Sequence, residues 1–247
     1  MSDPLASEFL GRLLPSELHP GVSYRLLRPL GEGGMGIAFL AERETEAGRA
    51  PAVLKIVRPE VVASAGPTAS LMVKKEAIAL GRLNERVPPT PFVVRLLDVG
   101  SVVLGGLRPL ELPWIAVEHV EGGVEGTTLE ERVSHALRMT RFAFDAARAA
   151  HNIECLTEGL TAIHEAGVVH RDLSPGNILC SGFGAAEVPK IADFGIARPA
   201  GMSGTFGAVA LGTPGYAAPE QAMASDAEVG PHTDVFSLAC VTFFLLG

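Results

Sequence analysis

Cysteine is scarce in this chain: Cys155, Cys180 and Cys240 are the only three in 247 residues, far apart and with no CxxC pair among them. That excludes a disulfide framework and a thiolate zinc site, and it fits a reducing cytoplasm. Basic residues are in deficit, 20 Lys and Arg against 28 Asp and Glu, so a net charge of −8 repels phosphate backbones and nucleic acid is not expected as a partner. Long apolar runs are missing as well. The most apolar stretch, residues 235–247, is interrupted by Ser237 and Thr242 and is too short to span a bilayer, so it reads as a buried helix rather than a membrane segment. The first twenty residues scatter Asp3, Glu8, Arg12 and Glu17 among apolar positions and lack the basic start and unbroken apolar core of an export signal. A cytoplasmic protein is the expectation.

What is present is apolar content, 47% of the residues, enough for the core of one large domain or of two joined lobes. From Tyr24 to Lys55 short apolar runs alternate with a glycine cluster and an Ala47-Gly48 turn, the pattern of antiparallel strands joined by hairpins. Residues 58–70, rich in Pro, Ala, Ser and Gly, read as a connection, and Leu71, Ile78, Leu80 and Leu83 then predict one helix over about 69–84. Pro88, Pro89 and Pro91 break the chain before two further apolar segments, Phe92–Val99 and Leu112–Val120, expected as strands. Beyond Gly126 the spacing changes to steps of three and four, through Leu129, Val133 and Leu137 and then from Phe142 to Ile163, so the second half is expected to be mainly helical. Glycines 122, 123 and 126 lie where these two patterns meet, and a hinge is predicted near Glu118–Gly123.

Gly31, Gly33 and Gly36 form GxGxxG within LGEGGMGIAF, a spacing that lets backbone amides approach phosphate oxygens but also suits a plain glycine-rich hairpin. A dinucleotide fold needs a helix directly after such glycines, whereas IAFLAERE and AGRAPAVLKIV read as strand, turn, strand, which favours a hairpin covering phosphates. Lys55 sits among apolar residues in AVLKIV, either as a surface lysine on an edge strand or as a charge needing a partner. Glu76 is the candidate partner. The more specific signal is an ordered set: His170-Arg171-Asp172 with Asn177 five residues after Asp172, then Asp193-Phe194-Gly195, then Ala218-Pro219-Glu220 in GTPGYAAPE.

In that set, over about residues 22–247, the chain resembles the protein kinase family, and GEGGMG with GTPGYAAPE is similar to bacterial members of its serine/threonine (Hanks-type) branch. The resemblance implies an α+β, bilobal fold: a small antiparallel-sheet N-lobe with one main helix over about 22–120, a mainly helical C-lobe over about 121–247, ATP in the cleft between them, and residues 1–21 as an N-terminal extension. It implies that Lys55 contacts the α/β-phosphates and is held by Glu76, that Asn177 and Asp193 bind Mg²⁺, and that Asp172 orients the hydroxyl of a protein serine or threonine and accepts its proton. His170 and Phe194 are expected to be structural. Ala38 and Val53 would roof the adenine, the backbone at Glu118 and Val120 would hydrogen-bond its edge, Leu179 would be its floor, and Val117 would limit access behind it. Arg171 beside Asp172 suggests control by phosphorylation between Asp193 and Glu220, with Ser203 and Thr205 as candidates and a flexible Gly/Ser turn as the alternative; Thr213 is expected to bond near Asp172.

The pattern departs in two places. Ser174 stands where the family usually has a lysine contacting the transferred phosphate, a loss that unreplaced would cost on the order of 10²–10³ in rate. The sequence stops at Gly247, inside or just after the helix begun at Asp234, a residue matching the family aspartate that braces the catalytic loop. The expectation is therefore a truncated C-lobe, with Glu220 lacking its basic partner and an uncovered apolar face on 235–246 that favours self-association. Two competing readings are a nucleotide-binding scaffold without catalysis, supported by Ser174, and a small-molecule phosphotransferase of similar fold, opposed by Gly212–Glu220.

Overall fold

Structure begins ahead of the expected domain start. Helix α1 (Pro4–Phe9) and strand β1 (Leu13–Pro15) bury Ala6, Phe9 and Leu14, so the segment read as an extension contributes to a core. The computed structural model describes residues 4–33, 36–65, 67–85, 89–105, 109–193, 213–223 and 228–247. Phe194, Gly195, Ser203 and Thr205 lie outside the described residues, as does the side chain of Glu76. The chain divides into two compact units, the first comprising the residues up to Leu80 with Arg95–His119, the second Gly81–Val94 with Val120–Gly247.

The first unit is built on period-two alternation. Strands β2 (Ser23–Glu32), β3 (Gly36–Thr45) and β4 (Gly48–Val57) pair antiparallel, with the turn at Gly48 as expected. Tyr24, Leu26, Ile37, Phe39, Ala41, Ala52, Leu54 and Ile56 all point to one buried face. Phe9 of α1 meets Phe39 edge-on across this face, with ring centroids 6.2 Å apart. The stretch read as a connection is a helix, α2 (Pro59–Ala65), started by Pro59 at the position where a missing N–H costs nothing and by Glu60 in the first turn. Helix α3 (Pro67–Asn84) follows and carries the expected 69–84 segment. Strand β5 runs Leu96–Leu104 and β6 runs Leu110–Glu118, completing an antiparallel sheet in the order β1-β2-β3-β4-β6-β5. The amino-terminal segment is also tied to the far edge: the Glu17 carboxylate accepts from the Ser101 N–H and hydroxyl, both at 2.8 Å.

The strand expected over Phe92–Val99 thus begins only at Leu96. Phe92–Val94 belongs to the second unit, where the Ile191 N–H donates to Phe92 O (2.8 Å) and the Val94 N–H to Ile191 O (3.0 Å). Gly159 makes room for it, since a Cβ there would lie 2.9 Å from Phe92 O.

The second unit is mainly helical. Helix α4 (Leu129–Thr140) opens with a capping box: Thr128 accepts from the Glu131 N–H, and Glu131 accepts from the Thr128 N–H. It ends at Arg141 in the left-handed region (φ 66°), which leaves Phe142 exposed between helices rather than on the apolar stripe. Helix α5 (Ala146–Glu165) buries Ala149, Leu156, Leu160 and Ile163 as their spacing predicts. Hairpin strands β7 (Ile178–Ser181) and β8 (Val188–Ile191), short helix α6 (Pro219–Ala222) and helix α7 (Pro231–Leu246) complete the unit. The expectation of a buried helix at 235–247 holds on one side only: Val241 and Leu245 are buried, while Val235, Phe236, Phe243 and Leu246 are exposed. At the predicted glycine junction, Gly123 (φ 69°) and Gly126 (φ 105°) adopt left-handed or more extended positive-φ backbone, and a Cβ on Gly122 would collide with the Gly126 backbone. Among the described residues no helix is long and apolar enough to cross a membrane.

Candidate active site

The loop from His170 to Asn177 is held from beneath by one carboxylate. Asp234, in the first turn of α7, is 0% exposed; its Oδ2 accepts from the His170 N–H and from His164 Nε2, and its Oδ1 from the Arg171 N–H, each at 2.8 Å. A buried carboxylate is tolerable only with such donors, and here the donors are the backbone of the loop itself. His170 is fully buried, donates from Nε2 to Ala192 O (2.9 Å) and accepts the Asp172 N–H at Nδ1 (3.3 Å), which fixes its neutral tautomer. Its structural role is as the sequence suggested. Arg171 adopts φ 69°, an uncommon conformation for a side chain of this size, and is pinned on its other side by Gln221, which donates to Arg171 O at 2.6 Å.

Above this brace lie the candidate side chains Asp172, Asn177 and Asp193. Asp172 Oδ1 accepts both the N–H (2.9 Å) and the hydroxyl (3.0 Å) of Thr213, the bond expected from GTPGY. Asn177 donates from Nδ2 to Asp172 O (2.8 Å), and its own carbonyl accepts from the Ala192 N–H (2.9 Å), so residues 172, 177 and 192 are locked together just before Asp193. Asp193 is exposed and sits at φ 53°, a region Asp tolerates better than most residues. Ser174 is 3% exposed, and its carbonyl accepts from the Asn177 N–H, so the position where a lysine was expected faces inward.

In the first unit, Ala38, Val53 and Lys55 lie on the sheet face opposite the one α1 packs on. The register sets Ala38 against Lys55, Leu40 against Val53, Lys55 against Ile115 and Val53 against Val117, so an apolar patch surrounds one lysine. The glycine cluster joins β2 to β3 through a Gly33 N–H bond to Gly36 O (2.9 Å). Of the described glycines in it, Gly36 is the one packing demands, since a Cβ there would lie 2.7 Å from Ile56 O; around Gly31 and Gly33 there is space. Glu118 N–H is committed to Arg95 O (2.9 Å), and Leu179, half-buried on β7, bridges to Thr128.

Sequence reading missed three supports. Arg58 donates from Nε to Gly33 O at 2.9 Å, Gln221 holds Arg171, and Arg132 is buried in α4. Only the adjacency of Gln221 to the Ala218-Pro219-Glu220 motif offered a signal. Glu220, expected to be unpaired, accepts from the Thr233 hydroxyl at 2.6 Å with His232 at 3.5 Å. The Thr233 bond first, and the helix backbone and His232 after it, hold its carboxyl below the usual range. Cys180 is pushed up to about 12, chiefly by burial, so its thiol is inert.

Residues 24–247 match the family described as the protein kinase domain. The chain belongs to that family. Among its relatives are bacterial kinases: serine/threonine-protein kinase pkn2 of Myxococcus xanthus is 34% identical over 238 residues, covering 95% of this chain and 25% of that protein. Serine/threonine-protein kinase PknD of Mycobacterium tuberculosis is 35% identical over 219 residues, covering 88% of this chain and 28% of that protein. The kinase domain described here therefore spans about a quarter of the length of such relatives, and it falls in the bacterial Hanks-type branch. The solved PknI kinase domain of M. tuberculosis shares its fold with a TM-score of 0.62 at 20% identity, covering 94% of this chain and 77% of that one. The α+β kinase fold is thereby established: an antiparallel sheet in the first unit and helices in the second.

Proposed function

We propose that this kinase domain transfers the γ-phosphoryl group of ATP to serine or threonine hydroxyls of a protein, with Asp172 orienting the attacking hydroxyl. The observation that carries the proposal is the pair of hydrogen bonds from Thr213 to Asp172 Oδ1, which aims the carboxylate before any substrate arrives. The substrate oxygen forms a bond to the γ-phosphorus, the bridging β–γ P–O bond breaks, ADP leaves, and the hydroxyl proton passes to Asp172. A carboxylate is a weak base, so that proton moves late.

Lys55 neutralises the α/β-phosphates and pairs with Glu76, while backbone amides around Gly31, Gly33 and Gly36 face the phosphates. Ala38, Val53 and Leu179 contact the base. The Glu118 N–H is already used by Arg95, so Glu118 serves the adenine edge through its carbonyl, with Val120 beside it. Asn177 and Asp193 offer hard oxygens that fit Mg²⁺, and because the Asn177 nitrogen is spent on Asp172 O, its amide oxygen is the end left to face an ion. Bound there, Mg²⁺ would neutralise phosphate charge. Arg171 would receive a phosphate on Ser203 or Thr205 after autophosphorylation.

Ser174, turned inward, favours a second reading in which nucleotide is bound and no phosphate is moved. Incubating the chain with Mg²⁺, γ-labelled ATP and a serine/threonine-rich protein, then mapping the label by mass spectrometry, separates the two. The kinase reading expects label on Ser or Thr, lost in Asp172→Asn while ADP binding persists. Nucleotide binding without transfer would support the scaffold, and label on a small molecule alone would support a different phosphotransferase.

A further inference from the structure

A second buried charge lies away from the catalytic loop. Arg132, on α4, is 0% exposed, and its guanidinium donates to four backbone carbonyls: Nε to Gly126 O (3.1 Å), Nη1 to Gly182 O (2.8 Å), and Nη2 to both Gly122 O and Cys180 O (2.9 Å each). These acceptors come from two segments only. One begins two residues after Val120; the other begins directly after Leu179. The same segments are joined by the Cys180 N–H to Thr127 O bond (2.7 Å) and by the bridge between Thr128 and Leu179.

The charge is offset within the cluster. Glu187, also buried, lies 3.4 Å from Arg132 Nη1 and accepts from Arg148 Nε at 2.6 Å, while Glu125 pairs with Arg148 and lies 4.0 Å from Arg132. Two arginines and two glutamates thus form a neutral group whose internal attraction could be served by many arrangements. What distinguishes Arg132 from Arg148 is geometry: its planar fork is spent on the carbonyls of the two segments rather than on carboxylates alone. A lysine keeps the charge but has three donors on a rotating head, so it cannot reproduce the fork.

We propose that Arg132 is a positioning residue for the nucleotide base: it fixes the spacing between the segment that follows Val120 and the strand that carries Leu179. The proposal rests on the reading of this chain as an ATP-using kinase, which places the base against those two residues. In that reading Lys55 and the glycine cluster face the phosphates, and Asn177, two residues before Leu179, is tied separately to Asp172 O and the Ala192 N–H, so the device predicts a loss that falls mainly on the base.

The test compares the affinity of the full chain for Mg-ADP and for Mg-tripolyphosphate, by calorimetry, in wild type, Arg132→Lys, Arg132→Met and Arg148→Met, with melting temperatures alongside. Arg132→Lys is expected to weaken Mg-ADP on the order of tenfold or more, since small misplacements at a site are amplified, and to leave tripolyphosphate within about twofold. Arg148→Met is expected to lower the melting temperature without that split. Equal weakening of both probes in Arg132→Lys, or no weakening, would overturn the proposal while leaving the kinase reading intact. A wild type that binds neither probe would remove the kinase reading and this proposal with it. If both Arg132 variants fail to fold, hydrogen exchange of the wild type decides: Mg-ADP must slow exchange at the Cys180 amide, and unchanged protection overturns the idea.

Discussion

The sheet core of the first unit and the loop cradle of the second solve the same problem, holding backbone in place, with opposite materials. Around Phe9, Phe39, Tyr24 and Trp114 the work is spread over many apolar side chains, each replaceable at a cost set by its volume. Around Asp234 it is concentrated in one carboxylate that serves His170, Arg171 and His164. Non-directional burial fixes a layer; directional hydrogen bonds fix an angle. Aiming a carboxylate such as that of Asp172 needs an angle, and a fully buried acid beneath the loop supplies it.

The contrast can be broken most forcefully at Asp234. Asp234→Ala strands one buried and one part-buried backbone donor and a histidine, at about 1–3 kcal/mol for each unsatisfied group, and it frees the loop that carries Asp172. Turnover per folded molecule should fall by orders of magnitude, beyond what the melting temperature explains; turnover that merely tracks the folded fraction would make Asp234 an ordinary core residue. Phe9→Ala is the smaller and complementary case. It should cost about 3–5 kcal/mol of stability by opening a cavity against Phe39, measurable by chemical denaturation, while turnover per folded molecule stays near wild type. A Phe9 variant that loses turnover but no stability would show that the amino-terminal helix serves catalysis rather than folding.

The two regions also differ in how far their sequences could be read. Strands β2, β3 and β4 declared themselves through alternation, and the catalytic loop through the fixed spacing of Asp172, Asn177 and Asp193, because both patterns are local. The bond from Thr213 to Asp172 was legible for a different reason, the resemblance of GTPGY to a known family segment. Helix α1 escaped notice because its apolar residues are too few for a period, and α2 because Pro59 and its small residues read as a connection. Arg132 was unreadable: an arginine in a charged helix is normally solvated, and only the fold brings Gly122, Cys180 and Gly182 to it. Phe92–Val94 reads as the start of the strand that follows because an apolar run does not say which segment it will meet.

The account turns on Asp172 being aimed by Thr213, and single-turnover phosphoryl transfer at saturating Mg-ATP in Thr213→Ser and Thr213→Val reads that directly. Serine keeps the hydroxyl and should transfer within a few-fold of wild type, whereas valine, of similar shape but without the donor, should be slower by about tenfold or more at unchanged nucleotide affinity. Equal rates for the serine and valine variants would contradict it.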